Sequence, residues 1–169
     1  MLSDYGKGGL AHIETMISMA RAAGVAVVVD PKGDDYHRYR GADIVTPNLK
    51  EFVLAGGDDA SEERIETSAY ELVQRFDLGA VLVTRSEKGM TLFTRENQRI
   101  HSPALAREVF DVSGAGDTVA AVVGVGLAAG LEIETVLELA NRAAGQVVGK
   151  FGTAVVDLAG ISSKGAPEK

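Results

Sequence analysis

The chain has 169 residues, of which 46% are hydrophobic, and its formal net charge is −7. This length and apolar content suffice for one domain with its own core, while the acidic balance argues against binding to nucleic acid or to a membrane surface, because both need clustered Lys and Arg. The absence of cysteine excludes disulfides, thiolate metal sites and a thiol nucleophile, and agrees with a cytoplasmic location.

The first half of the chain alternates helix and strand patterns. Residues 10–23 carry apolar side chains at helical spacing, and residues 25–29 form an unbroken apolar run. Such a run after a helix predicts a parallel sheet that is covered on both faces. A short strand at 43–46 and a helix starting near Pro47 follow. The basic and aromatic segment 36–40 is interpreted as a solvated loop or a short helix.

The second half adds a hairpin and two long helices. We expect a helix at 61–76, a strand at 80–83, and a hairpin that pairs 90–94 with 99–101. A short strand at 109–111 precedes helices at 119–129 and 133–148, and a polar tail covers 162–169. The chain contains neither a Walker-type phosphate loop nor a dinucleotide-binding glycine fingerprint.

Residues 111–118, Asp-Val-Ser-Gly-Ala-Gly-Asp-Thr, join the last strand to the first long helix. A glycine-rich turn at a helix start points backbone N–H groups outward, and the helix dipole adds positive potential, so phosphate binding is expected there. Asp117 falls in the first helical turn, where a carboxylate is placed to accept the proton of an attacking hydroxyl during phosphoryl transfer. The alternative is a packing turn in which Asp117 only caps the helix.

Three strand-end segments are further candidates. The loop at 30–33 follows a strand of the predicted parallel sheet, where open α/β sheets bind ligands. Asn48 and Glu51 face the same side of one helical turn and suit a hydrated metal near phosphates, or else a plain helix cap. The hydroxyls and glycine of 84–89 suit contacts to a triphosphate, and a solvent-exposed turn between two strands explains them equally well. Gly145 and Gly149 suggest close packing of the last helix, against an adenine ring for example.

Together these motifs resemble the ribokinase-like (PfkB-type) carbohydrate kinases. Residues 111–117 are similar to the family's second signature, with Ser113 in place of the more usual Thr. The segments 2–8, 30–33, 38–42, 46–51, 83–90 and 107–110 resemble the heptose-7-phosphate kinase branch, the kinase module of ADP-heptose synthesis in lipopolysaccharide precursor assembly. The resemblance implies a three-layer α/β/α, ribokinase-like (Rossmann-like) domain with a mostly parallel sheet.

The resemblance also implies residue roles. Asp117 matches the catalytic base, and the amides of Gly114, Ala115 and Gly116 would hold the transferring phosphoryl group. The ATP-contacting positions are Asn48, Leu49, Lys50, Glu51, Thr84, Ser86 and Gly89, with Asn141 and Gly145 near the adenine. Glu51 would hold Mg²⁺ through water, and Asp111 with Ser113 matches a site for a monovalent cation such as K⁺.

The chain resembles only the carboxyl-terminal half of the family's kinase domain. Residues 1–160 are expected to form that half, and 161–169 a polar tail or linker remnant. The amino-terminal strands, most of the sugar pocket and the β lid have no counterpart. We therefore expect an unpaired sheet edge and exposed apolar helix faces, with self-association or pairing with a missing amino-terminal half.

The sequence thus predicts an ATP- and Mg²⁺-dependent kinase that converts heptose 7-phosphate to heptose 1,7-bisphosphate at the anomeric hydroxyl. Its turnover is expected to be poor without the lid and sugar pocket. One alternative is an inactive nucleotide-binding or interaction module that uses the same pocket. Another is a different sugar or nucleoside kinase of the PfkB type.

Overall fold

The apolar runs of the sequence form one six-stranded sheet in the computed structural model, which describes residues 1–105, 113–150, 152, 154–157 and 161. Its strands lie side by side in chain order: β1 (Leu2–Ser3), β2 (Val28–Asp30), β3 (Ile44–Val45), β4 (Ala80–Thr84), β5 (Met90–Thr94) and β6 (Arg99–Ser102). The strands from β1 to β4 are parallel, whereas β5 pairs antiparallel with both of its neighbours. The mostly parallel sheet and the hairpin are therefore confirmed.

The helices occupy the segments with helical apolar spacing. They are α1 (Ile13–Ala22), α2 (Leu49–Leu54), α3 (Glu62–Arg75), α4 (Ala115–Ala128) and α5 (Ile133–Val148), with 3₁₀ turns at Tyr36–Tyr39 and Ser86–Lys88. Helix α4 begins four residues earlier than the apolar pattern alone indicates, so Asp117 lies in its first turn. The strand expected at 109–111 and the tail expected at 162–169 lie outside the described residues.

The strands alternate their side chains between two apolar layers. Val29, Val45 and Val81 point into a core that is shared with α1, α2 and α3. Their neighbours Val28 and Ile44 point into a second core, shared with α4 and α5. Helices therefore cover both faces of the sheet, which explains why the strands are continuously apolar. This arrangement is the predicted three-layer α/β/α architecture.

The segment 36–40 confirms the expected short helix and excludes the solvated loop. It forms a short helical turn in which His37 and Arg40 are exposed, whereas Tyr36 and Tyr39 are completely buried. The two rings meet edge to face, with centroids 5.4 Å apart, and Tyr36 also packs against Phe76 at 5.9 Å. This short turn connects β2 to β3, and its two tyrosine rings fill the core there.

Strand β1 forms one edge of the sheet. Within the described residues it pairs only with β2, as expected for a sheet with an unpaired edge. Apolar side chains stand exposed at Met1, on α1 (Met16 and Met19) and on α4 (Val125). In the same part of the chain, no helix is both long and apolar enough to cross a lipid bilayer.

Close contact between α4 and α5 depends on Gly126. A Cβ atom at this position would lie 2.7 Å from Cγ2 of Val136 and 3.0 Å from its Cγ1. Val136 is completely buried, and its branched side chain is fixed at χ1, so its methyl groups cannot swing away. The absence of a side chain at Gly126 therefore allows the two helices to approach each other.

We predict that Gly126→Ala lowers the free energy of unfolding by about 1–3 kcal/mol, because the added methyl overpacks the α4–α5 contact. Urea denaturation of the two proteins measures the difference. Gly124→Ala, on the same helix, is the matched control, since its Cβ would lie 3.4 Å from Cβ of Met1 and meet nothing else within 4 Å. The control gains up to about 1 kcal/mol of helix propensity. Equal effects of the two substitutions would contradict the packing argument.

Candidate active site

A cleft of about 190 Å³ opens where the parallel strands end. Loops that follow parallel strands emerge at the same edge of the sheet, and they bring residues from distant parts of the sequence together there. The lining residues are Asp4, Tyr5, Asp30, Pro31, Lys32, Thr46, Asn48, Glu51, Thr84, Gly116 and Asp117. Four predicted site residues besides Asp117 are thus placed around one space: Asn48, Glu51, Thr84 and Gly116.

The start of α4 forms one wall of the cleft. Gly114 precedes the helix with φ = 79°, a left-handed conformation that glycine adopts without strain, and no described side chain caps the helix. The amides of the first turn have no partner within a helix, so they are available to a ligand. Gly116 lines the cleft, and a Cβ there would have no atom within 4 Å. This wall has the donors and the positive dipole end that an anion needs.

Asp117 projects from the first turn of α4 and meets two groups from the opposite side of the cleft. The Tyr5 hydroxyl donates a hydrogen bond of 3.2 Å to its Oδ1 atom. The carboxyl group of Asp30, at the end of β2, also interacts with the Asp117 carboxylate. The aspartate in the octet is therefore exposed to the cleft and is contacted from β1 and β2.

The Asp30 carboxyl has a perturbed pKa. Its pKa is raised from 3.8 to about 6, chiefly by burial and also by the negative charges of Asp117 and Glu51, while the hydrogen bond from Ser3 works in the opposite direction. That bond runs from the Ser3 hydroxyl to Oδ2 of Asp30 at 3.0 Å. Perturbed carboxyl groups in a cleft are characteristic of functional sites.

Asn48 and Glu51 form a reciprocal cap at the start of α2. Oδ1 of Asn48 accepts the Glu51 amide at 3.0 Å, and Oε2 of Glu51 accepts the Asn48 amide at 3.1 Å. The other oxygen of Glu51, Oε1, lies 3.3 Å from Nζ of Lys32. The plain helix cap is thus present, and both side chains line the cleft as well.

The loop after β4 divides into a cleft side and a buried side. Thr84 lines the cleft, and its amide donates to the Pro47 carbonyl at 2.9 Å. Arg85 is buried and bound to Glu62, so the turn is not exposed along its whole length. The hydrogen bond from Arg85 holds the pKa of the Glu62 carboxyl below its ordinary value. Ser86 is exposed.

Gly89 has a structural reason to be glycine. Its φ is 79°, and a Cβ there would overlap the Ser102 carbonyl oxygen and the backbone of the next two residues. The loop after β4 therefore packs directly against the chain that leaves β6. A nucleotide contact at Gly89 remains a prediction.

The remaining predicted residues do not line this cleft. Asn141 is buried, and its Nδ2 atom donates to Oγ of Ser102 at 2.8 Å, which ties α5 to the end of β6. Leu49 packs against the core, and Lys50 is exposed. Gly145 is half-buried on α5, and Ser113 is exposed before the start of α4. Asp111 lies outside the described residues, within which no group of three or more His, Asp or Glu side chains is arranged to hold a metal ion.

Sequence reasoning missed the roles of Asp4, Tyr5 and Asp30 in this cleft. It singled out the loop at 30–33 as a ligand-binding position, but it gave Asp30 itself no task. The segment around Tyr5 drew attention only through its resemblance to the heptose-kinase motifs. Because Tyr5 and Asp117 are 112 positions apart, no local pattern connects them.

We predict that Asp30→Asn raises the free energy of unfolding above that of the wild type, and that this gain is larger at pH 7.5 than at pH 4. The contribution of the native carboxyl is fully present below its unfolded pKa of 3.8 and is lost as the pH rises through about 6, because the folded state then holds an unfavourable charge. The full shift corresponds to about 3 kcal/mol, and partial exposure reduces this to about 1–2 kcal/mol. Denaturation at several pH values measures it, with the exposed Asp59→Asn as control. A gain of equal size at both pH values would refute the prediction.

Comparisons with known proteins support one family. Over 156 residues the chain is 53% identical to the bifunctional protein HldE of Pectobacterium atrosepticum. The matched region covers 92% of this chain and 33% of that protein. The HldE protein of Vibrio cholerae O1 (strain O395) is 51% identical over the same length. The chain therefore spans about a third of the length of these curated relatives.

Solved structures agree on the fold. A ribokinase from Arabidopsis thaliana, solved with ribose and ATP, superposes with a TM-score of 0.75 at 27% identity, over 83% of this chain and 46% of that one. Phosphofructokinase-2 from Escherichia coli, solved with potassium, gives a TM-score of 0.77 at 20% identity, over 88% and 49%. The model of the pfkB family carbohydrate kinases matches residues 7–158. The chain belongs to the pfkB family of carbohydrate kinases, and its fold is ribokinase-like.

Proposed function

We propose that this cleft transfers the γ-phosphoryl group of ATP to the anomeric hydroxyl of heptose 7-phosphate. The observation that carries the proposal is the position of Asp117, an exposed carboxylate in the first turn of an uncapped helix whose Gly116 lines the same cleft. A proton acceptor and an anion-binding helix start are the two parts that phosphoryl transfer to a hydroxyl needs most.

The proposed reaction is a displacement at the γ-phosphorus of ATP. The anomeric oxygen forms a bond to the γ-phosphorus while the bond from that phosphorus to the bridging oxygen of ADP breaks, and ADP leaves with the bonding electrons. The proton of the acceptor hydroxyl passes to the Asp117 carboxylate. The amides of Gly114, Ala115 and Gly116 donate to the phosphoryl oxygens on which negative charge accumulates.

The nucleotide side of the cleft is assigned to the ends of β3 and β4. Asn48, Glu51 and Thr84 line that wall. Lys32 is the one basic side chain among the described lining residues, and its ammonium already neutralises Glu51 at 3.3 Å. A phosphate entering the cleft would therefore meet Lys32 at the Glu51 side.

A magnesium ion that enters with the nucleotide is compatible with the cleft. Asp30, Glu51 and Asp117 each bring a carboxyl group to it, and Mg²⁺ usually takes one or two carboxylates together with phosphate oxygens and water. Glu51 would hold the ion through water. Bound there, magnesium would supply positive charge to the phosphates. A site for K⁺ at Asp111 and Ser113 remains part of the proposal, and the potassium in the E. coli phosphofructokinase-2 structure supports it only by likeness of fold.

The choice of heptose 7-phosphate rests on similarity. Segments from 2–8 to 107–110 resemble the heptose-7-phosphate kinase branch, and the relatives at 51–53% identity are HldE proteins. The ribose and ATP in the Arabidopsis ribokinase structure support the coarser statement that this fold accommodates a sugar and a nucleotide. The PfkB-type sugar and nucleoside kinases with other acceptors are the competing assignment.

We predict that Asp117→Asn lowers the rate of ADP formation at least about 100-fold, because the amide cannot take the proton of the sugar hydroxyl. The measurement is ADP release by the purified chain with ATP, Mg²⁺ and heptose 7-phosphate. Asp59→Asn, a loss of one exposed carboxylate away from the cleft, is the matched control and should retain the wild-type rate.

The outcomes separate the competing functions. Faster turnover with fructose 6-phosphate, ribose or adenosine than with heptose 7-phosphate would assign the chain to another PfkB-type kinase. Thermal stabilisation by ATP without turnover would identify a nucleotide-binding module. Equal ADP release by the wild type and Asp117→Asn would contradict the role of Asp117.

A further inference from the structure

The side chain of Tyr5 makes an unusual contact for a largely exposed residue. The residue is 62% exposed, yet its hydroxyl donates a hydrogen bond of 3.2 Å to Oδ1 of Asp117. The bond joins the loop after β1 to the first turn of α4. An exposed tyrosine is thus connected to a second structural element by its hydroxyl group.

The backbone on either side of Tyr5 is firmly anchored. The neighbouring Asp4 is buried, and its carboxylate accepts the Tyr39 hydroxyl at 2.9 Å and the Gly6 amide at 2.8 Å, with the Arg38 guanidinium 3.4 Å away. The Asp4 amide in turn donates to the Asp30 carbonyl at 2.9 Å. These bonds fix the backbone of the loop, so the Tyr5 side chain starts from a defined position beside Asp117.

Asp117 is also contacted by Asp30. The Asp30 carboxyl is held by Ser3, at the end of β1, and it interacts with the Asp117 carboxylate. Asp117 itself belongs to an exposed first helical turn, in which the side chain has rotamer freedom. A carboxylate that accepts a proton must stay within hydrogen-bonding reach of the acceptor hydroxyl, and a fixed donor on one oxygen restricts that freedom.

Resting on the function proposed above, we propose that Tyr5 is a positioning residue for the proton acceptor. Its hydroxyl holds Asp117 by Oδ1, and the carboxylate held in this way takes the proton of the sugar hydroxyl. The contribution of Tyr5 is the hydroxyl group and not the ring. Tyr5→Phe should therefore preserve the cleft wall and lose the hydrogen bond that holds Asp117.

A spectroscopic experiment tests the contact without requiring turnover. The chain has four tyrosines, so the ¹³Cζ resonance of each is readily resolved, and Tyr5→Phe identifies that of Tyr5. Asp117→Asn should shift the Tyr5 resonance, because the neutral amide is a weaker acceptor than the carboxylate. The Tyr70 resonance should stay in place, since its hydroxyl donates to the Asn97 carbonyl on the opposite side of the sheet from α4. An unchanged Tyr5 resonance overturns the proposal.

Kinetics test the consequence. Tyr5→Phe should lower kcat about tenfold, the order expected for one hydrogen bond to a charged group, and should leave KM for ATP within about twofold. Tyr70→Phe removes a hydroxyl of the same kind far from the cleft and should change neither constant. Tyr5→Phe combined with Asp117→Asn should be no slower than Asp117→Asn alone, because the hydroxyl acts through Asp117.

The results distinguish this proposal from the function it rests on. A wild-type kcat in Tyr5→Phe, with a loss only in Tyr5→Leu, would show that the ring matters and would overturn the positioning role. A rate loss that persists in the Asp117→Asn background would do the same. Absence of turnover in the wild type would refute the proposed function for this chain, and the ¹³C shift would still decide whether Tyr5 holds Asp117.

Discussion

The cleft depends on the buried carboxylate of Asp4. This side chain is 4% exposed, and it is satisfied by a phenol, a backbone amide and a guanidinium that come from two different loops. The Tyr39 hydroxyl that binds Asp4 also accepts the Lys32 amide at 3.0 Å, so the loops after β1 and β2 are locked together. A buried charge that loses its partners costs about 3–5 kcal/mol, and this penalty holds both loops in one arrangement.

Once those loops are fixed, the electrostatics of the cleft follow. Asp30 and Glu51 are brought close to Asp117, and burial leaves the Asp30 carboxyl with a pKa of about 6. Lys32 and the amino-terminal end of α4 supply the positive charge and potential that oppose these carboxylates. Backbone amides and one ammonium thus give an acidic chain of net charge −7 a local region of positive potential.

The sequence predicted the elements well where periodicity was unambiguous. The run at 80–83 and the stripe at 133–148 gave β4 and α5 nearly to the residue, because each buries a continuous apolar surface. The short helix at 36–40 was one of the expected alternatives, but the burial of its two tyrosines was not expected, since charged neighbours conceal that Tyr36 packs on both Tyr39 and Phe76. Asn48 and Glu51 were found through their spacing of three, which is a local property of one helical turn. The octet identified Asp117 for the same reason, because turn and helix start are contiguous in the chain.

By itself the sequence determined the order of strands and helices, the apolar faces and the helix start that carries Asp117. These features depend on neighbours within a few residues, and local chemistry encodes them. The tertiary structure alone decided that Tyr5 and Asp30 meet Asp117 and that Arg85 is buried against Glu62. Those contacts join residues from 23 to 112 positions apart, and they exist only because parallel strands end at one edge of the sheet and deliver their loops to the same place.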